Sequence, residues 1–352
     1  MRHAGIDGFR FDLAPILGRN SKGFDPDAPL LTAMREDPTL KDRVLIAEPW
    51  DIGPGGYQLG NFRPPFLEWS DRYRDDVRRF WRGDRCMVGA LATRLAGSSD
   101  IFQRDGWPTT RTVNFIAAHD GFSLADLAAY ERKHNQANGE KNRDGHNENF
   151  SWNNGAEGGA ADARIVSARK RDVRALLATL FASRGAIMLT AGDEFGRTQK
   201  GNNNAYCQDN ELTWLDWQGR DRELEAFVQR LGEMRFRSLQ SAYAVTQTRF
   251  LTGQAVDGGL PDVQWLIETG QTMDDGAWND PERRRLTMLL GGMGQGRLAV
   301  LVNGDRRSAS FVLPSRDGYH WRHFALQGAL RAIDGALPVD GRTVEFAEEV
   351  VE

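Results

Sequence analysis

Four short apolar runs, each ending in polar or acidic residues, punctuate the first half of the chain. They are Ile6 to Asp12, Val44 to Glu48 (VLIAE), Val113 to Asp120 (VNFIAAHD) and Ala186 to Glu194 (AIMLTAGDE). Between them lie stretches with helical spacing of apolar positions: Ser70 to Trp81, Met87 to Ala96, and Ala163 to Ser183. In the last, Ile165, Val173, Leu176, Leu177, Leu180 and Phe181 fall near one face. Strands alternating with helices predict a parallel α/β architecture. The carboxyl ends of such strands share one side of the sheet, where sites form. Asp12, Glu48 and Asp120 are therefore expected to converge. The two-residue period of a strand puts Arg10 and Asp12 on one face and Phe9 and Phe11 on the other, where the two rings are expected to pack on helices.

After residue 238 the pattern changes. Arg297 to Asn303 (RLAVLVN), Ser310 to Leu313 and Trp321 to Phe324 are short and separated by Gly, Asp or Pro, which predicts antiparallel strands. The chain is thus read as an α/β part, 1–238, and a small β-sandwich, 239–352. Two polar stretches stand apart from both. Tyr130 to Gly159 is rich in Asn and Gly and nearly free of aliphatic residues, and Gly201 to Cys207 (GNNNAYC) follows the fourth strand. Loops of this kind inside a compact domain usually carry function or are disordered. No internal repeat is evident.

Composition narrows the classes. The 352 residues are 40% hydrophobic and 27% charged, with net charge -4, and no basic patch suggests nucleic acid. No apolar stretch approaches the roughly 18 residues of a membrane span, and no secretory pattern opens the chain. Cys86 and Cys207 form no CxxC, so reduced thiols in the cytoplasm are expected. The ten Trp, 18 Phe and 38 Gly suit sugar binding, and equally a large core.

The acids carry the chemistry. Retaining glycoside hydrolysis needs two carboxyl groups about 5–5.5 Å apart, one attacking the anomeric carbon and the other protonating the leaving oxygen. Arg10 beside Asp12 would keep a nucleophile ionised. Apolar neighbours and the charge of Asp12 would keep Glu48 protonated. Asp120 could hold sugar hydroxyls and stabilise the oxocarbenium-like transition state, with His119 bonded to the same sugar. Each residue also has a plain structural reading. Asp12 with Arg10 could be a simple ion pair, Glu48 before Pro49 a strand end, and His119–Asp120 a satisfied polar pair. The remaining histidines (His3, His134, His146, His320, His323) show no metal-ligand spacing and read as surface or loop residues.

Taken together, GFRFDLA (8–14), AEPWD (47–51) and AAHDGFSLAD (117–126) closely resemble three ordered signature regions of the alpha-amylase family of glycoside hydrolases. More narrowly they resemble bacterial glycogen debranching enzymes of the isoamylase type. The segments KHNQANGEKNRDGHNENFSWN (133–153) and AGDEFGRTQKGNNNAYCQDNE (191–211), and PDVQW with GAWNDPERRRL further on, share that resemblance. It implies Asp12 as nucleophile, Glu48 as general acid/base and Asp120 as transition-state stabiliser, with Arg10 and His119 at the substrate. Trp50 and the Asn-rich loops, Asn202 and Asn203 among them, would line the glucan groove. The implied substrate is the α-1,6 branch point of glycogen or limit dextrin, with no cofactor or metal.

The family places GFRFDLA on the fourth strand of a (β/α)8 barrel. The resemblance therefore implies an incomplete TIM barrel, about strands 4–8, followed by an all-β domain. The earliest signature region and the N-terminal carbohydrate-binding domain would be absent, and an N-terminal half of the same enzyme is the expected partner. Ile187 stands where relatives commonly have Pro. The competing functional readings are a non-catalytic glucan-binding remnant and an α-glucan transglycosylase.

Overall fold

A computed structural model of the chain describes residues 5–104, 106–239, 248–255, 259–291, 296–326 and 331–351. Its first half is built on a five-stranded, all-parallel sheet. In chain order the elements are β1 (Gly8–Phe11), a small hairpin of β2 (Arg19–Asn20) and β3 (Gly23–Phe24), α1 (Pro29–Glu36), β4 (Val44–Ala47) and β5 (Leu67–Trp69). There follow α2 (Asp71–Arg82), α3 (Val88–Leu95), α4 (Ser99–Phe102), β6 (Thr112–Asn114), α5 (Leu124–Leu127), α6 (Ala163–Ala182), β7 (Ala186–Ile187) and α7 (Arg222–Leu239). The sheet runs β1-β4-β5-β6-β7.

Local sequence explains the helices well. Ser70 caps α2 by accepting from the Tyr73 N–H at 3.1 Å, and Gly83 closes it in the left-handed region. Tyr73, Val77, Phe80 and Trp81 lie on its buried face. The strands are shorter than their apolar runs. β6 stops at Asn114 because the carbonyls beyond it find side-chain donors. The Arg78 guanidinium donates to Ile116 O at 2.9 and 2.5 Å, and Thr190 Oγ1 to Ala117 O at 2.9 Å. The run from Ala186 to Glu194 likewise pairs only at its first two residues, and Asp193 and Glu194 turn into a 3-10 helix. β5 has no counterpart in the expected strands; only three residues long, it lies between Pro64-Pro65 and the α2 cap.

Phe11 packs in a cluster with Leu31 of α1, and its ring meets Phe66, in the loop before β5, edge-on with centroids 5.8 Å apart. Phe9 does not pack on a helix: it is 37% exposed, because β1 is the outer strand of the sheet and no helix covers it there.

The second half is antiparallel. Its elements are β8 (Val263–Leu266), α8 (Asp275–Asn279), β9 (Arg285–Leu290), β10 (Leu298–Asn303), β11 (Ala309–Val312), β12 (Tyr319–Phe324), β13 (Arg331–Ile333), β14 (Ala336–Val339) and β15 (Thr343–Val351). Six of these strands form one sheet in the order β13-β12-β15-β10-β9-β8, and β11 pairs with β14 in a separate ribbon. All six residues of β10 are buried. Leu298, Val300 and Val302 face a large core shared with α2, α3, α6 and α7, while Ala299 and Leu301 face a second core under the ribbon, with Phe311, Leu337 and Val339. The sheet is therefore covered on one side by two strands and on the other by the helices of the first half. The expected division after residue 238 falls at the end of α7, and residues 240–247 lie outside the described residues.

Arg342 pins the halves together. Its Nε donates to Asp172 Oδ1 of α6 at 2.7 Å, and its guanidinium lies between the rings of Trp81 and Trp152, 5.6 and 5.4 Å from their centroids. The Trp152 indole N–H also donates to Asp172, at 2.6 Å, and Asn154 Nδ2 at 2.9 Å.

Candidate active site

Strand register brings the first two acids together. Gly8 permits a close approach of β1 to β4: a Cβ there would meet Val44 O at 2.1 Å. The pairing sets Phe11 beside Ala47 and Ala47 beside Glu68. One residue further along, Asp12, Glu48 and Trp69 fall in a row across three strands. The Glu48 N–H donates to Phe11 O at 3.0 Å and the Ala14 N–H to Glu48 O at 3.0 Å, which carries the register past the strand ends.

Arg10 joins these groups. Its Nη1 is 2.5 Å from Asp12 Oδ1 and its Nη2 is 3.1 Å from Glu48 Oε2. Its guanidinium lies flat on Trp69, 4.3 Å from the ring centroid. The two carboxyl groups differ sharply in surroundings. The Asp12 side chain is 70% exposed, whereas that of Glu48 is 7% exposed. Burial pushes the Glu48 carboxyl above its ordinary range, against the Leu13 N–H that Oε2 accepts at 2.8 Å and the charge of Arg10. The Asp12 carboxylate, close enough to share a hydrogen bond, adds to the rise.

The third acid lies in the loop after β6 and is linked to this group through His119 and Trp69. His119 Nε2 is 3.2 Å from Asp120 Oδ2, and the His119 ring lies 6.0 Å from Trp69. Trp69 is thus the hinge between the Arg10–Asp12–Glu48 group and the His119–Asp120 pair. Sequence reasoning missed it; the only signal was an aromatic residue closing an apolar triplet just before a helix cap. Trp50 lies half-buried in the same apolar cluster as Trp69, with Ile46, Leu67 and Phe115. His146, read from sequence as a plain loop residue, comes within electrostatic range of Asp120, while burial and the charges of Arg74 and Arg78 hold its imidazole below the ordinary range.

Asn202 and Asn203 do not line a groove. Both are buried, with their amides committed to other loop residues. Asn203 exchanges bonds with Asn135: Nδ2 of Asn135 donates to its Oδ1, and its own N–H donates to Asn135 Oδ1, each at 2.9 Å. Its Nδ2 donates to His146 O and Asn149 Oδ1, both at 2.8 Å. Asn202 Nδ2 donates to Asn138 Oδ1 at 2.8 Å. The two polar loops are laced together by these amides, and Asn203 O accepts the Gly121 N–H at 3.0 Å, next to Asp120. Their place is behind the site. Asp126 assists from below, accepting from the Gln199 N–H at 2.8 Å and from Thr198 Oγ1 at 2.5 Å.

Other acids at run ends serve elsewhere. Asp193 accepts the Leu124 N–H at 3.0 Å and is fully buried, which pushes its carboxyl up to about 7. Glu194 closes its own turn on the Gly192 N–H. Asp51 is held below the usual carboxylate range by Arg19, 2.5 Å away. Among the described residues no cluster of His, Cys, Asp and Glu is placed to hold a metal, and no helix is long and apolar enough to cross a membrane.

A parallel sheet joined to an antiparallel sheet in this way has counterparts among solved structures. The chain superposes over 99% of its length on the pullulanase from Bacillus acidopullulyticus, with a TM-score of 0.65 and 16% identity, covering 38% of that chain. The pullulanase of Anoxybacillus sp. LM18-11, solved with maltotetraose, gives 0.65 and 21% over 99% of this chain and 44% of its own. The fold is of the pullulanase type. No family model matches the chain. In sequence it is 51% identical over 318 residues to the glycogen debranching enzyme of Pectobacterium atrosepticum, and 50% identical over 317 residues to that of Klebsiella pneumoniae subsp. pneumoniae. Each alignment takes in 90% of this chain and 45% of the relative. The chain is thus homologous to bacterial glycogen debranching enzymes and spans about half the length of the curated relatives it matches.

Proposed function

We propose that the chain carries the catalytic centre of a retaining glycosidase that cleaves α-1,6 branches of glycogen or limit dextrin. Asp12 is the nucleophile, Glu48 the general acid/base and Asp120 the stabiliser of the oxocarbenium-like transition state. The observation that carries this reading is the unequal environment of two carboxyl groups bridged by one arginine. Asp12, exposed and paired with Arg10, is poised to attack as an anion. Glu48, buried and with a raised pKa, is poised to give a proton to the leaving oxygen and take one from water in the second step. Asp120 and His119 would grip the sugar hydroxyls, a role supported by the approach of the His119 ring to Trp69, on which Arg10 also lies.

In this reading the five parallel strands are a segment of a (β/α)8 barrel. Residues 1–238 are its catalytic part and 239–352 the accompanying β-domain. Homology to proteins named glycogen debranching enzyme supports the branch-point substrate, as does a pullulanase-type fold. The enzyme acts without a cofactor.

The test is release of linear maltooligosaccharides from phosphorylase limit dextrin by the purified 352-residue chain. Asp12→Asn and Glu48→Gln should each lower the rate at least about 10³-fold while leaving glucan co-sedimentation intact. The exposure of Asp12 and Asp120, 70% and 57%, favours a second reading in which an open site binds glucan without turnover. Co-sedimentation with no product from the wild-type chain would establish that reading and overturn the first.

A further inference from the structure

Away from the acids, a cavity of about 820 Å³ lies between α6 and the antiparallel sheet. Its floor is apolar: Val166, Phe227, Leu326 and Val344. Its walls carry four permanent cations, Lys170, Arg171 and Arg174 from α6 and Arg331 from β13, against two carboxylates, Asp340 and Glu345. Both carboxylates already have partners, since Glu345 lies 2.9 Å from His323 Nε2 and Asp340 accepts from Ser308 Oγ at 2.9 Å. Lys170 and Arg174 pair with Asp221 and Glu223, 3.1 and 3.5 Å away, neither of which lines the cavity. Arg171 and Arg331 have no ion pair or hydrogen bond among the described residues. The Nε of Arg174 is buried without a hydrogen-bond partner.

Unpaired surface arginines are ordinary when they stand alone. Here two of them rise from opposite walls of one concavity, one on a helix of the first half and one on a strand of the second. A third guanidinium, that of Arg174 with its orphaned donor, lines the same cavity just over two turns along α6 from Val166. Like charges across a cavity repel, and an anion between them reverses the sign of that interaction. Guanidinium groups match phosphate and carboxylate oxygens alike in a forked geometry, but several cations in one concavity favour the more highly charged phosphate, and the apolar lining would take an organic body rather than a bare ion.

We propose that this cavity binds a small organic phosphate, bridging α6 and the antiparallel sheet. The site shares no residue with the glycosidase centre, so this proposal and the proposed reaction stand or fall separately. Titration calorimetry and thermal melts on the purified chain would use ADP and inorganic pyrophosphate as probes. Maltotetraose serves as a neutral comparison and sodium chloride at matched ionic strength as the screening control. ADP should bind at one site and raise the melting temperature beyond the chloride control. Arg171→Ala and Arg331→Ala, both at exposed positions, should each weaken that binding about tenfold or more while leaving the circular dichroism spectrum unchanged. A melting shift no larger than that of chloride would overturn the proposal. So would ADP binding that survives in both variants, or displacement of ADP by maltotetraose.

Discussion

The two sheets of this molecule solve opposite problems. The antiparallel sheet is continuous: β10 makes six-residue ladders with both neighbours and every one of its residues is buried. The parallel sheet is made of strands two to four residues long, and its outer strand β1 has no fully buried residue. The first arrangement maximises apolar burial. The second leaves strand ends free, so that backbone and side chains leaving the sheet can converge at one rim. The turn at His119–Asp120 is placed by that early release from the ladder, while Glu48 and Trp69 stay held at the strand ends, and the well-packed sheet beside them supplies rigidity through the shared core.

Four substitutions probe the contrast, in decreasing order of effect. Glu48→Gln should remove at least about 10³ of activity, more than 4 kcal/mol in the barrier, with no loss of melting temperature, since the glutamine still accepts from the Leu13 N–H. Phe346→Ala, in the shared core of the antiparallel sheet, should cost about 3–5 kcal/mol in denaturant unfolding, whereas Phe9→Ala on the exposed edge of β1 should cost well under half as much. Equal costs would remove the distinction. Arg342→Met should cost on the order of 3 kcal/mol by leaving Asp172 buried beside two indoles, and should lower the cooperativity with which the two sheets melt.

The last test is a pH dependence. Asp193 is fully buried and its pKa is raised to about 7, above its value in the unfolded chain, so the folded state holds the proton more tightly. The stability this contributes is complete below about pH 4 and is lost as pH rises through about 7. Asp193→Asn, which retains an acceptor for Leu124, should therefore gain on the wild type by up to about 4 kcal/mol between about pH 4 and pH 8. Parallel unfolding curves at the two pH values would refute this.

The sequence carried the helices and the pairing of Arg10 with Asp12 well, because both signals are local. The Ser70 and Gly83 caps bound α2 within a residue of its apolar pattern, and the alternation around Arg10 sets Asp12 beside Arg10 whatever else the chain does. Three features were not legible. β5 is only three residues long, and it is a strand only because β4 and β6 lie on either side. The run Val113 to Asp120 breaks at Asn114 because Arg78, from α2, takes a carbonyl that a ladder would otherwise hold. Asn202 and Asn203 sit in polar sequence that reads as exposed, yet their partners lie more than 50 residues away, and only the folded loops show that their amides are spent on one another.

That lacing of amides has a consequence for how the site responds to acidity. Carboxamides neither gain nor lose protons over any ordinary range, and Asp144, a carboxylate that two of them bond, is kept below the usual carboxylate range by Asn138 and Asn204. The amide-to-amide bonds behind Asp120 are therefore indifferent to pH from mildly acidic to alkaline solution, so that titration at the rim alters reactivity while these bonds stay as they are.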